Sequence, residues 1–312
     1  MSKLAFVFAG QGSQYLGMGL DFLTINPKLN ELEEIANQIL GYETKEIINL
    51  DQEKLNQTEY TQPLVLLSSI YAYESLKALN IKPDGMLGFS LGEYSALYAS
   101  QIFTYAEIIN LIKNRAMFMK EASLSKPGSM AAILGLNVYD IGSLCEDIGE
   151  GVYIANFNSP VQTVISGYDL VVSKAIELAK EKGAKRAIKL NVSGAFHSPL
   201  MDEASQKFKE FLEEYIPQKP MCDLYLNTTA DKLILQNLKD EMVKQITSPV
   251  RFVESILKMK QDGYTHFLEI GPGTVLSGLI KKIDGDLEVA HLERASDLET
   301  VKGWLNDHGF KK

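Results

Sequence analysis

Gly88-Phe89-Ser90-Leu91-Gly92 constrains this chain more than any other stretch of its length. The strand-like run Gly85-Met86-Leu87 leads into it, and Glu93-Tyr94-Ser95-Ala96-Leu97-Tyr98 reads as a helix leaving it. A Gly-x-Ser-x-Gly between strand and helix predicts a sharp turn with the serine at its tip. The two glycines remove the side chains that would block so tight a reversal. The first N–H groups of the new helix then lie behind the serine hydroxyl, where donors and helix dipole together can stabilise an oxyanion. A strand, a turn and a helix in this order belong to the α/β class. The pattern is short, and chance produces it in roughly one chain in ten of this length. Alone it marks Ser90 as a candidate acyl-transfer serine and no more.

The chain of 312 residues is long enough for one large α/β domain, or a large one with a smaller companion. Its 23% charged and 46% hydrophobic residues fit a packed globule and exclude a disordered chain. Cys145 and Cys222 stand far apart without metal-ligand spacing, so the expected setting is the reducing cytoplasm, with no metal site. The apolar run Leu4 to Ala9 is too short to span a membrane and reads as a buried first strand. No targeting segment is expected. A net charge of -9 argues against broad nucleic-acid binding, yet leaves room for a small anionic substrate near local cations.

The first strand ends in Gly10-Gln11-Gly12-Ser13-Gln14. That loop fails the dinucleotide fingerprint, whose third glycine would fall at Tyr15. Helical patterns cover Pro63 to Leu79 and Ile108 to Glu121. After Pro127-Gly128 the grammar changes. Met130 to Leu134 reads as a strand, Val138 to Ile148 as a helix, and Val152 to Ala155 and Gln162 to Ser166 as strands joined by an Asn156 to Pro160 turn. Asp169 is placed to cap the next helix, Gly183 to end it, and Ala187 to Leu190 forms a last strand. The order β-α-β-β-α-β is that of a ferredoxin-like unit. The expected organisation is therefore a small ferredoxin-like subdomain, 127–192, inserted into a large subdomain, 1–126 and 193–312. Further on, Met201 to Tyr215 reads as an amphipathic helix and Leu224 to Leu226 as a strand. A helix from Phe252 to Lys260 and a buried strand running into Gly271-Pro272-Gly273 follow.

A serine nucleophile needs a base, and the chain offers four histidines. His308 lies in a terminal stretch prone to fraying. His266 reads as a core residue of an apolar strand, and His291 as the residue that follows the strand Leu287 to Ala290. His197, in the loop Ser193-Gly194-Ala195-Phe196-His197-Ser198-Pro199, sits where the chain leaves the small unit, and loops on rigid elements gather catalytic residues. Two arrangements remain open at this point. Asp223 or Asp231 with His266 or His291 would give the order of an ordinary hydrolase triad, whereas His197 would act as a pair with Ser90 and a neutral acceptor. Arg115 interrupts the helix Leu111 to Met119 and is either a carboxylate clamp or a snorkelling surface cation.

Taken together, these stretches resemble the malonyl-CoA:acyl-carrier-protein transacylases. The similarity runs in order through Ala5 to Gln14, Gly88 to Tyr94, Asn114 to Met119, Ala155 to Pro160, Ala195 to Met201, Gln245 with Ser248-Pro249-Val250, and Glu269 to Gly273. The resemblance implies an α/β-hydrolase-like core with the inserted ferredoxin-like subdomain. It implies Ser90 as nucleophile, His197 as general base and then acid, and Arg115 as holder of the malonyl carboxylate. It implies the N–H groups of Gln11 and Leu91 as the oxyanion hole, the Gln245 region as acceptor for the histidine, and Asn156 as a substrate-site residue. Phe196 would crowd an α-methyl substituent, since a bulky residue there goes with malonyl in related polyketide acyltransferases. The implied partners are acyl carrier protein and a coenzyme A thioester, with no cofactor, nucleic acid or membrane.

Members of the family usually carry His directly before the serine, and this chain has Phe89. A discrete acyltransferase serving a polyketide synthase would share every one of these motifs. A serine esterase would not need Arg115. For the carrier-protein surface the basic candidates are Lys185, Arg186, Lys189, Lys281 and Lys282.

Overall fold

An unbroken apolar run such as Leu4-Ala5-Phe6-Val7-Phe8 suits a strand covered on both faces, and all five residues are fully buried. Leu4, Phe6 and Phe8 point into one hydrophobic core, Ala5 and Val7 into another. The structure is a computed structural model that describes residues 2–310. Its strands are β1 (Lys3–Phe8), β2 (Gly85–Gly88), β3 (Gly128–Leu134), β4 (Val152–Ser159), β5 (Gln162–Tyr168), β6 (Arg186–Lys189), β7 (Asp223–Tyr225), β8 (Tyr264–Ile270) and β9 (Glu288–Leu292). They form two sheets, one of five strands in the order β7-β2-β1-β8-β9 and one of four in the order β4-β5-β3-β6.

All pairings in the first sheet are parallel. The chain leaves β1 for β2 on one side and later lays β8 on the other. The carboxyl ends of β1, β2 and β8 therefore open onto one crevice, the position at which such sheets bind ligands. The helical region between β1 and β2 is several helices, the longest being Thr58–Lys77, which carries Pro63 inside its first turns. Helix Tyr105–Ser125 begins with a capping box between Thr104 and Glu107, so its start is firmly set.

The second sheet is antiparallel and uses only residues 128–189. Helices Val138–Ile148 and Asp169–Glu181 bury their apolar stripes against it in a separate core that includes Ile133, Ile141, Ile165 and Val172. Four sequence expectations fail. Asn156 to Ser159 is not a turn but the second half of β4. Hydrogen bonds from Val250 N–H to Ala155 and from Phe157 N–H to Val250 keep it extended, and the reversal falls at Pro160-Val161. Asp169 does not cap its helix either; it is the first helical residue and its carboxylate pairs with Lys189. His291 lies within β9 rather than after it. His308 is not frayed, because it packs against His266 at 4.6 Å between ring centroids.

Candidate active site

The turn after β2 is as tight as the two glycines predict. A side chain at Gly88 would collide with the backbone of Gly92 and Glu93, and one at Gly92 with the carbonyl of Phe8. Between them Ser90 takes a left-handed conformation, φ 53°, that non-glycine residues adopt only when their surroundings hold them there. Helix Gly92–Ala99 starts directly behind it. Phe89 packs edge-on against Phe252 at 5.3 Å, so the position before the serine faces a hydrophobic core in this chain.

His197 completes the pair. Its Nε2 is 2.8 Å from Ser90 Oγ, and its Nδ1 lies 2.9 Å from the Gln245 carbonyl and 3.1 Å from that of Ser248. Both acceptors are main-chain oxygens, so Nδ1 carries the hydrogen and Nε2 is free to accept from the serine. His197 also has a positive φ of 58° and is buried. Burial first, and the Arg115 guanidinium second, push its pKa down to about 4. It is therefore a neutral imidazole at pH 7, ready to take a proton. Among the described residues no carboxylate bonds His197 Nδ1 to complete a triad. Asp223 stands at the opposite, amino end of β7 and pairs with Lys232, and Asp231 lies near Lys258. His266 pairs in register with Leu4, four residues back from the crevice, and packs among Trp304, His308 and Phe310. The hydrolase order considered from the sequence is not assembled.

Arg115 is not a snorkelling cation; it is 1% exposed, the largest side chain so deeply buried among the described residues. Nη1 donates to the Gln62 side-chain oxygen and Nη2 to that of Gln245 at 3.0 Å, and Nη2 is 3.5 Å from Ser90 Oγ. The guanidinium also lies over the Tyr94 ring, 5.3 Å from its centroid. Nε is buried without a partner, and no carboxylate is within ion-pair distance among the described residues. The nearby Glu93 does not fill that role, because burial raises its pKa to about 8 and leaves it largely protonated at neutral pH. A buried cation held only by neutral acceptors beside a serine hydroxyl has the chemistry to pair with a carboxylate.

A cavity of about 230 Å³ opens over this group. Gln11, Ser90, Arg115, Asn156, Phe196 and His197 all line it. Leu91 and Gln245 do not line it; Leu91 follows Ser90 in the chain and Gln245 bonds the Ser90 carbonyl. Among the described residues the backbone N–H groups of Gln11 and Leu91 donate to no protein acceptor, as oxyanion donors require. Gln245 holds Arg115 with its side-chain oxygen, Ser90 O with its nitrogen at 3.1 Å, and His197 with its carbonyl. Gln62 was missed from the sequence, because it stands beside Thr58, Glu59 and Thr61 in the polar first turns of its helix. Glu269, also in the cavity wall, accepts from Leu276 N–H at 2.9 Å and Ser277 N–H at 2.7 Å and so anchors helix Val275–Ile283.

The sequence profile of the acyl transferase domain matches residues 5–297. The malonyl CoA-acyl carrier protein transacylase of Bacillus subtilis (strain 168) is 41% identical over 307 residues, covering 97% of this chain and 96% of the relative. Among solved structures, MCAT from Streptococcus pneumoniae matches with a TM-score of 0.92 and 42% identity, over 97% of this chain and 100% of that one. A type II polyketide synthase acyl-carrier protein in complex with its malonyl-transacylase matches with a TM-score of 0.92 and 35% identity, over 96% and 98% of the two chains.

Proposed function

The chain belongs to the acyl transferase domain family, and from that premise we propose how it carries out its reaction. The protein is an acyltransferase that moves the malonyl group of malonyl-CoA to the phosphopantetheine thiol of acyl carrier protein, the step that supplies fatty acid synthesis with its extender unit. Ser90 Oγ attacks the thioester carbonyl while His197 Nε2 takes its proton. The tetrahedral oxyanion rests on the N–H groups of Gln11 and Leu91. Collapse expels the coenzyme A thiolate, which recovers the proton from His197 and leaves malonyl-Ser90. The carrier thiol then repeats the sequence in reverse, giving its proton to His197 and receiving the malonyl group as Ser90 is reprotonated. A covalent serine ester suits an exchange between two thiols, since it divides one transfer into two similar halves.

Arg115 is the observation that carries this reading. A buried cation with its Nη2 3.5 Å from the serine oxygen favours an acyl group that brings its own carboxylate. Acetyl thioesters would desolvate it further and return no charge. Asn156 and Phe196 form part of the wall around the acyl chain. The exchange moves no electrons or hydride and calls for no cofactor beyond its two substrates.

The larger portion, 1–126 and 193–312, is an α/β-hydrolase-like core in this reading, and 127–192 a ferredoxin-like insertion. The strand order β4-β5-β3-β6 with both helices on one face supports the latter assignment. A cytoplasmic location fits two free cysteines and the lack, among the described residues, of a helix long and apolar enough to cross a membrane. The exposed cations Lys185, Arg186, Lys281 and Lys282 are the proposed contacts for an acidic carrier, whereas Lys189 is already paired with Asp169.

The test is mass spectrometry after brief exposure to malonyl-CoA. Ser90 should gain one malonyl group, which holo carrier protein removes faster than water, and Ser90→Ala should remain folded and gain none. Rapid release to water would favour a thioesterase. Comparing carriers from fatty acid and polyketide systems decides which pathway is served.

A further inference from the structure

We propose that Asn227 is a positioning residue for the nucleophile turn, fixing the backbone on both sides of Phe89 and thereby the aim of Ser90. The inference rests on Ser90 being the acylated residue. β2 pairs with β7 only as far as Leu87 opposite Tyr225. Past that rung the chain turns out of the sheet, and the carbonyl of Gly88 and the N–H of Ser90 have no strand to meet. The Asn227 side chain meets both. Its Nδ2 donates to Gly88 O at 2.6 Å, and its Oδ1 accepts from Ser90 N–H at 2.7 Å. Only one orientation of the amide serves a donor and an acceptor at once. A side chain thus stands in for the next rung of the ladder where no strand can continue.

Asn227 is itself held in place. It is fully buried, its N–H donates to Glu93 Oε2 at 2.8 Å, and its carbonyl accepts from Arg251 N–H at 3.1 Å. On the far side of the serine, Ser90 O accepts from Gln245 Nε2 at 3.1 Å and from Glu93 N–H at 3.0 Å. With the N–H and the carbonyl of Ser90 both tied, the following peptide cannot rotate, and the Leu91 N–H is fixed with it. Asn227 does not line the cavity, so it acts through the turn and not on the substrate.

Asn227→Asp and Asn227→Ser separate this role from a merely structural one. An aspartate can accept from Ser90 N–H, but only its protonated form can also donate to Gly88. Serine is too short to bridge the two groups and does not titrate. Around the site stand Glu93 on the helix behind the turn, Arg115 and His197 beyond the serine, Arg251 just downstream, and Glu241, which binds Thr228. All are present in wild type, so the ratio of variant to wild type at each pH isolates residue 227.

At about pH 8 both variants should lower kcat for malonyl transfer by about tenfold to a hundredfold, with KM for malonyl-CoA within about twofold. As the pH is lowered to about 5.5, the Asn227→Asp ratio should climb at least about fivefold while the Asn227→Ser ratio stays level. Circular dichroism normalises both for folded protein. Wild-type kcat in Asn227→Ser, or a level ratio in folded Asn227→Asp, would overturn the proposal. Should Asn227→Asp not fold, kcat of Asn227→Ser decides alone. Malonyl loading of wild-type Ser90, measured alongside, reports separately on the function assigned above.

Discussion

Replacing Arg115 by Ala should change which acyl group the protein accepts. A hydrogen bond to a charged group contributes about 1.5–3 kcal/mol, and a neutral one about 1 kcal/mol. In the resting site Nη1 and Nη2 already donate to the neutral oxygens of Gln62 and Gln245. A malonyl carboxylate that takes two bonds from the guanidinium therefore gains only the difference, about 1–4 kcal/mol in total. At about 1.4 kcal/mol per factor of ten, the preference for malonyl-CoA over acetyl-CoA should fall by between about fivefold and several hundredfold. Truncation also strands the Gln62 and Gln245 oxygens and leaves a void beside Tyr94. Those injuries handicap both substrates alike, so the ratio of the two kcat/KM values is the quantity to measure, with holo carrier protein as acceptor. Arg115→Lys should lie close to Arg115→Ala, because a point charge on a flexible stem cannot reproduce the planar fork. A ratio within about twofold of wild type would refute the argument, and substrate choice would then have to lie elsewhere in the cavity wall.

His197→Ala should lower the acylation rate by several orders of magnitude, whereas His266→Ala should show itself in Tm, since His266 is packed among aromatic rings away from the cavity. With its folded pKa at about 4, His197 should support kcat/KM from neutrality down to about pH 5, and a pH-rate profile should break only as pH approaches 4. The same group costs stability as pH falls from 6.5 towards 4, because there the unfolded chain binds a proton that the folded one refuses. Glu93 has the opposite sign: its folded pKa of about 8 lies above the ordinary 4.5, so stability falls as pH rises through that window. Glu93→Gln should therefore gain more in Tm at pH above about 8 than at about pH 5. Phe196→Ser should raise the use of methylmalonyl-CoA relative to malonyl-CoA by about tenfold or more, read as a kcat/KM ratio, because it opens room beside the α-carbon.

Much of the site was legible because its parts sit in short, tightly constrained segments. Gly88 and Gly92 announce the turn, since no other residue fits between β2, the following helix and β1. His197 was the favoured base because it stands in a loop leaving the small sheet. Arg115 was ambiguous: a lone arginine in a helix is compatible with surface and core, and only the packing of helices Thr58–Lys77 and Tyr105–Ser125 decides. Asn156 to Pro160 reads as a turn because its Asn, Ser and Pro content is that of one. A long-range pairing with Val250 overrides that local preference. Gln62 and Asn227 escaped for the same reason. Their roles depend on partners 53 and 137 residues away in sequence.

Arg115 and His197 lie on either side of one hydroxyl, Nη2 at 3.5 Å from Ser90 Oγ and Nε2 at 2.8 Å. Burial first, and the uncompensated guanidinium after it, discourage the imidazole from accepting a proton. Whatever cancels the charge of Arg115 makes His197 a stronger base. In the proposed complex that agent is the carboxylate of the malonyl group itself, so the cargo strengthens the base that activates Ser90. An acetyl thioester brings no such charge and leaves the guanidinium uncompensated beside the imidazole that must take the serine proton. Selection then happens twice, once in how tightly the acyl group sits and again in whether its arrival wakes the chemistry.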